Sequence, residues 1–255
     1  MGARKMRRAL FFSENPCCCF CGGNEPATTE DHQPARTYFE NRAWPEGFVF
    51  PACQACNEVT RKSEKILSLL IIGNSKKLDN DRYIDLEKSI VSEYPDLIES
   101  MIPKNGSEIR RILRENGLKK PVGHPYSNFP ILKLDRDFWD EHITNVGRKI
   151  ILALHYQCFG EPLSSNGGMS LWFHTNFDWA AGRFPEEILE LTENFVLPVR
   201  QARYLGDQFS VRWTFVEEPR CGLFIVHLQG ALTISGITSE RPADFKQMIY
   251  RPWSW

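Results

Sequence analysis

The sequence predicts an α+β protein in three stretches: a turn-rich, cysteine-clustered N-terminal module, a helical region, and a C-terminal, mainly antiparallel β-sheet region. Three observations predict it. Six of the eight cysteines fall within the first 56 residues. From Asn57 to Phe159 apolar residues recur at helical spacing, and beyond Gly160 the period drops to two. We therefore expect one domain over 1–75 and a second unit over 76–255, helical across 76–160 and β-rich across 161–255.

Each element follows from its residues. Asn15-Pro16, Gly22-Gly23-Asn24 and Trp44-Pro45-Glu46-Gly47 punctuate residues 13–57 too often for helices, so short strands and loops are expected there. A helix should open at Asn57 and run through Ile66, Leu67, Leu70 and Ile71 to Gly73, which caps it. Ile84 to Val91 and Leu97 to Ile102 have helical spacing, with Pro95 starting the second of them. Ile109, Ile112 and Leu113 form a third short helix that ends at Gly117. A Pro/Gly-rich joint spans Pro121 to Pro130, and one long helix is expected from Asp135 to Phe159. Strands are expected at Ser170–His174, Arg200–Tyr204, Phe209–Val216, Leu223–Leu228 and Ala231–Ile237. In the third of these Phe209, Val211, Trp213 and Phe215 alternate with Ser210, Arg212 and Thr214, as one buried sheet face requires.

Composition narrows the function classes. The chain has 31 basic and 32 acidic residues, so it does not bind nucleic acid through an overall positive surface. A chain of 255 residues can bury a core without disulfide staples, which argues for metal-bound cysteines in a reducing compartment. The basic start is followed by an apolar run, Ala9 to Phe12, too short for an export signal, and the expected location is cytoplasmic. The longest uncharged run, Gly222 to Ser239, contains His227, Gln229 and Ser235; it reads as paired strands, and no membrane partner is expected.

The chemistry lies in the cysteine cluster. Cys18-Cys19-Phe20-Cys21 and Cys53-Gln54-Ala55-Cys56 are two C-x-x-C turns with 31 residues between them. Each such turn faces two thiolates toward one ion, and two turns complete the tetrahedral shell of a structural Zn²⁺ held by Cys18, Cys21, Cys53 and Cys56. Within the triplet, Cys17 and Cys19 compete with Cys18 for that place. The gap exceeds the roughly 15–20 residues of ordinary zinc ribbons, and it holds Asp31-His32-Gln33-Pro34. Asn57 follows the second turn directly.

The order C-x-x-C, Asp31-His32, C-x-x-C-Asn57 resembles the Cys₄ branch of the HNH (ββα-metal) endonucleases over roughly residues 17–72. The resemblance implies a ββα-metal module in which His32 is the general base and Asp31 and Asn57 hold a catalytic Mg²⁺ or Mn²⁺. It implies hydrolysis of nucleic-acid phosphodiesters, with DNA favoured over RNA, leaving a 5′-phosphate and a 3′-hydroxyl. One element departs from that pattern. Where the family carries an asparagine that braces the histidine loop, this chain has Phe48-Val49-Phe50-Pro51-Ala52.

The same residues make chemical sense independently. An imidazole titrating near neutrality can activate water, and a hard divalent ion on oxygen donors neutralises charge on the phosphoryl group. Arg36, Arg61 and Lys62 are the candidate phosphate contacts, with Lys65 and the basic head Arg4, Lys5, Arg7 and Arg8 as additional cations. Glu64 and the five remaining histidines are expected to be structural or solvated. Two other readings of the module are a non-catalytic zinc unit that binds nucleic acid or protein, and a rubredoxin-like iron carrier. Residues 76–255 are expected to select substrate or bind a protein partner.

Overall fold

A computed structural model describes residues 2–40, 44–73, 80–115, 117, 133, 136–192, 205 and 208–244. The expected joint at 121–130, the strand at Arg200–Tyr204 and the C-terminal residues 245–255 lie outside them. The architecture is α+β. Helix α1 (Ala3–Glu14) precedes a two-stranded antiparallel hairpin of β1 (Thr29–His32) and β2 (Val49–Ala52). Helices α2 (Gln54–Val59), α3 (Arg61–Gly73), α4 (Asn80–Glu93), α5 (Pro95–Met101) and α6 (Gly106–Glu115) follow. A short turn, α7 (Arg136–Phe138), leads through a π-helical segment at Trp139–Ile143 into α8 (Thr144–Phe159). The rest is β3 (Gly168–Thr175), α9 (Asn176–Ala180), α10 (Glu187–Glu190), β4 (Phe209–Val216), β5 (Cys221–Leu228) and β6 (Leu232–Ser239).

Strands β3 to β6 form one antiparallel sheet in the order β3-β6-β5-β4. The uncharged run from Gly222 to Ser239 is the β5–β6 hairpin, and among the described residues no helix is long and apolar enough to cross a membrane. Helix α8 packs on the inner sheet face and is buried along most of its length. The approach is close: a Cβ at Gly147 would meet the Phe173 ring at 2.6 Å, and one at Gly236 would meet Ile151 at 2.7 Å. The long expected helix is thus interrupted near its start by the π segment, which turns His142 inward to bond Ser63 at 3.0 Å.

The expected helix at Asn57 begins earlier and is broken. Cys53 is its N-cap, its sulfur accepting from the Cys56 N–H, so Asn57 sits inside α2, one turn along. Thr60 interrupts the run before α3, and its hydroxyl donates to Glu64 at 2.7 Å. Core residues on both sides of position 75, among them Phe20, Tyr38, Ile71, Ile151 and Ile234, belong to one continuous apolar cluster.

The 31-residue gap contributes to that core. Tyr38 and Phe39 are fully buried, Arg82 of α4 donates to the carbonyls of Thr37 and Phe39, and Gln229 donates to the carbonyl of Tyr38 at 2.6 Å. These bonds tie the segment between the cysteine turns to the helical region and to the sheet.

Candidate functional site

The first C-x-x-C turn is held by backbone bonds. The N–H of Gly23 donates to the carbonyl of Cys18, Gly22 and Gly23 adopt positive φ, and the N–H of Cys19 donates to Pro51 of β2. The second turn opens α2. Together they bring the sulfur atoms of Cys18, Cys21, Cys53 and Cys56 within 4.8 Å of one another, all four residues buried. A tetrahedral Zn–S shell with bonds of about 2.3 Å fits in that space. Cys17 is exposed and outside the cluster, and Cys19 is buried away from it, so Cys18 is the member of the triplet that belongs. Backbone N–H groups of Phe20 and Cys56 donate to the sulfurs of Cys18 and Cys53, each at 3.4 Å. A hydrogen bond from Cys56 draws the Cys18 thiol down to about 5. The Cys56 thiol is pushed upward by that same bond and by burial, and the Cys21 thiol rises to about 11 through burial and the neighbouring Cys18 charge. Four crowded sulfurs cannot all ionise without a cation among them.

Strand β1 carries the remaining candidates. Asp31 and His32 are consecutive on an extended strand, so their side chains leave opposite faces. Asp31 points inward and is 6% exposed; His32 is half-buried. The His32 and Trp44 rings meet in a T-shaped arrangement with centroids 5.1 Å apart, and Arg36 lies over the Trp44 ring at 3.9 Å. Burial and the Arg36 charge hold the His32 imidazole below its ordinary value, so it is neutral at pH 7. Asn57 donates from Nδ2 to the Thr29 hydroxyl at 3.0 Å, which ties α2 to β1 two residues from Asp31. Its Oδ1 makes no hydrogen bond among the described residues.

Behind Asp31 lies a cluster that sequence reasoning missed. Lys149 of α8, fully buried, donates to Thr60 Oγ1 (2.8 Å) and Glu64 Oε1 (3.3 Å), and its ammonium forms an ion pair with Asp31 Oδ2 at 2.6 Å. Gln33 donates to Asp31 Oδ1 at 3.1 Å and to Glu64 at 3.2 Å. Glu64 is therefore part of a buried network, where a solvated helix glutamate was expected. Burial raises the Asp31 carboxyl, an effect the nearby ammonium offsets only in part. Burial also opposes the Lys149 charge, but Glu64 and Asp31 outweigh it and keep the amine protonated. The available signal was the adjacent pair Arg148-Lys149 within the otherwise uncharged stretch Val146 to Leu154.

The candidate phosphate contacts are scattered. Arg61 is exposed; Lys62 pairs with Glu141 at 3.1 Å on the surface, and Lys65 pairs with Glu93. The basic head forms α1, from which Arg8 donates to the Thr28 carbonyl at 3.0 Å beside β1. His155 lies in the core as expected, whereas Cys158 and Cys221 are only half-buried.

The four-cysteine cluster and the α+β fold define a protein with four buried cysteines grouped closely enough that they could hold a metal ion. No family model matches the chain, and neither the curated proteins nor the solved structures contain a significant match.

Proposed function

We propose that the protein is a metal-dependent endonuclease of the HNH type, in which a Cys₄ Zn²⁺ centre braces a β-hairpin and helix that hydrolyse phosphodiester bonds of nucleic acid, DNA in preference to RNA. The observation that carries the reading is the Asn57–Thr29 bond beside the cysteine centre. It joins the helix that follows the second cysteine turn to the strand bearing Asp31 and His32.

The donor set suits a hard divalent ion such as Mg²⁺ or Mn²⁺. Asn57 retains an unengaged oxygen, Asp31 accepts a hydrogen bond at Oδ1 only, its Oδ2 engaged by the Lys149 ion pair alone, and the buried Oε1 of Gln33 has no hydrogen-bond partner among the described residues. Two carboxylates around one ammonium also leave one negative charge in excess. Such an ion, held by Asp31 and Asn57, supplies charge neutralisation for the reacting phosphate. The protein's own residues do the rest. Neutral His32 accepts a proton from the attacking water at a ring nitrogen, and Trp44 fixes the ring by its edge contact. Arg36, Arg61 and Lys62 contact substrate phosphates and contribute affinity without sequence information. Residues 76–255 supply Lys149 to the cluster and a surface for substrate or a protein partner.

A second reading rests on the same ion pair. If the Lys149 ammonium is the permanent counter-ion of Asp31, the module is a non-catalytic zinc unit that binds nucleic acid or protein. A plasmid-nicking assay with and without Mg²⁺ separates the two. Nicking that requires Mg²⁺ and disappears in His32→Ala supports the nuclease; no nicking by the intact, zinc-loaded chain, or equal nicking by the variant, overturns it.

A further inference from the structure

We infer that the outer face of the C-terminal sheet holds a binding site for a small flat ring bearing one anionic group, separate from the cysteine centre and independent of the nuclease reading. The inner face of this sheet is covered by α8, while α9 and the segment after it stand over the outer face. Between them lies a cavity of about 480 Å³, within the range of roughly 300–1,000 Å³ usual for small-molecule sites.

The two walls differ in chemistry. One is aromatic: Trp179 of α9 and Phe184 stack at 4.1 Å with their planes 11° apart, yet Trp179 remains 38% exposed. The other is a row of polar side chains set by strand register, in which Ser210 of β4 lies opposite His227 of β5, and His227 opposite Thr233 of β6. Arg212 follows two residues after Ser210 on the same face.

A hydrogen-bond chain ties the walls together. The indole Nε1–H of Trp179 donates to Thr233 Oγ1 at 2.9 Å, and that hydroxyl lies 2.8 Å from Nδ1 of His227. An indole nitrogen can only donate, so the hydroxyl accepts from it on one lone pair and meets Nδ1 through its hydrogen or its second lone pair. His227 lines the cavity beside Ser210 and Thr233 in either tautomer. Arg212 is exposed and has no carboxylate partner among the described residues, and no acidic side chain lines the cavity. A guanidinium with no carboxylate partner among the described residues, an imidazole ring and a serine hydroxyl on one wall form an anion-binding set. The ordered tryptophan opposite presents ring surface to a planar body. Nucleotides and aromatic carboxylates share this chemistry.

Titration calorimetry on the full chain tests the site with adenosine 5′-monophosphate, adenosine, indole-3-acetate and inorganic phosphate as probes. Saturable binding of the nucleotide or the indole acid is expected. The nucleotide alone assigns the site to nucleotides, and the indole acid alone assigns it to aromatic carboxylates. Adenosine, which lacks the anion, should bind more weakly, and Arg212→Met should lower affinity about 10–100-fold, the loss of a charge-assisted contact. Circular dichroism should match the parent because Arg212 is on the surface. Trp179→Leu should weaken the ring-bearing probes, whereas His32→Ala should leave binding unchanged. Failure of both anionic probes to bind, unaltered affinity in Arg212→Met, or phosphate binding as tightly as the nucleotide would overturn the assignment.

Discussion

The ammonium of Lys149 lies 2.6 Å from the carboxylate of Asp31, with both groups removed from water. It joins α8, in the C-terminal part of the chain, to the strand that carries the candidate nuclease residues. The pair has direct consequences for stability, because a buried charge that loses its partner retains its full desolvation cost.

Replacing Lys149 by Met leaves Asp31 and Glu64 as two buried carboxylates without a cation. We expect a loss of about 3–5 kcal/mol, the range for breaking a buried pair. Asp31→Asn in the same chain should restore part of it. Urea denaturation of the single and double variants measures this; a double variant no more stable than Lys149→Met would refute the coupling.

His32→Ala should separate chemistry from folding. His32 is half-buried and bonded mainly by its ring contact with Trp44, so the melting temperature should move by no more than about the few degrees typical of a minor surface change. Nicking should fall about 10²–10⁴-fold, the usual contribution of a general base.

Metal content distinguishes the cysteines. Cys53→Ser should lose bound zinc and the cooperative melting of the N-terminal module, since metal binding contributes folding energy. Cys17→Ser, at an exposed position outside the cluster, should change neither. Elemental analysis settles both, and a colourless zinc-loaded protein would exclude the iron-carrier reading.

Acid sensitivity should trace to His155. Burial, reinforced by the Arg220 charge, depresses its imidazole from 6.5 to about 3, so the folded state holds it neutral while the unfolded chain binds a proton below pH 6.5. The stability it supports is therefore complete above pH 6.5 and falls as pH drops toward 3, by about 1.4 kcal/mol per pH unit once the unfolded imidazole is protonated. In His155→Gln the slope of stability against pH over that window should be smaller by about one proton; an unchanged slope would refute the assignment.

Much of this was legible in the residues because it depends on local rules. The two C-x-x-C turns gather four sulfurs within 4.8 Å of one another, Pro95 starts α5, Gly160 caps α8 in the left-handed region, and period-two alternation marks β4. Spacing alone left open which member of the cysteine triplet belongs, since adjacent residues on a turn differ only in direction; the positions of the sulfur atoms decide it, with Cys18 in the cluster and Cys17 exposed. The Asp31-His32 pair was visible as a motif. That the strand sends these two side chains to opposite faces, one toward Lys149 and the other toward Trp44, depends on partners 118 and 12 residues away. The outer-face cavity has the same origin, because β4, β5, β6 and α9 each supply part of it and only sheet register aligns them. The sequence by itself determined the cysteine centre and most helices and strands, for these need only neighbours along the chain. Tertiary structure alone decided which charges are buried together, because burial requires surfaces brought from distant segments.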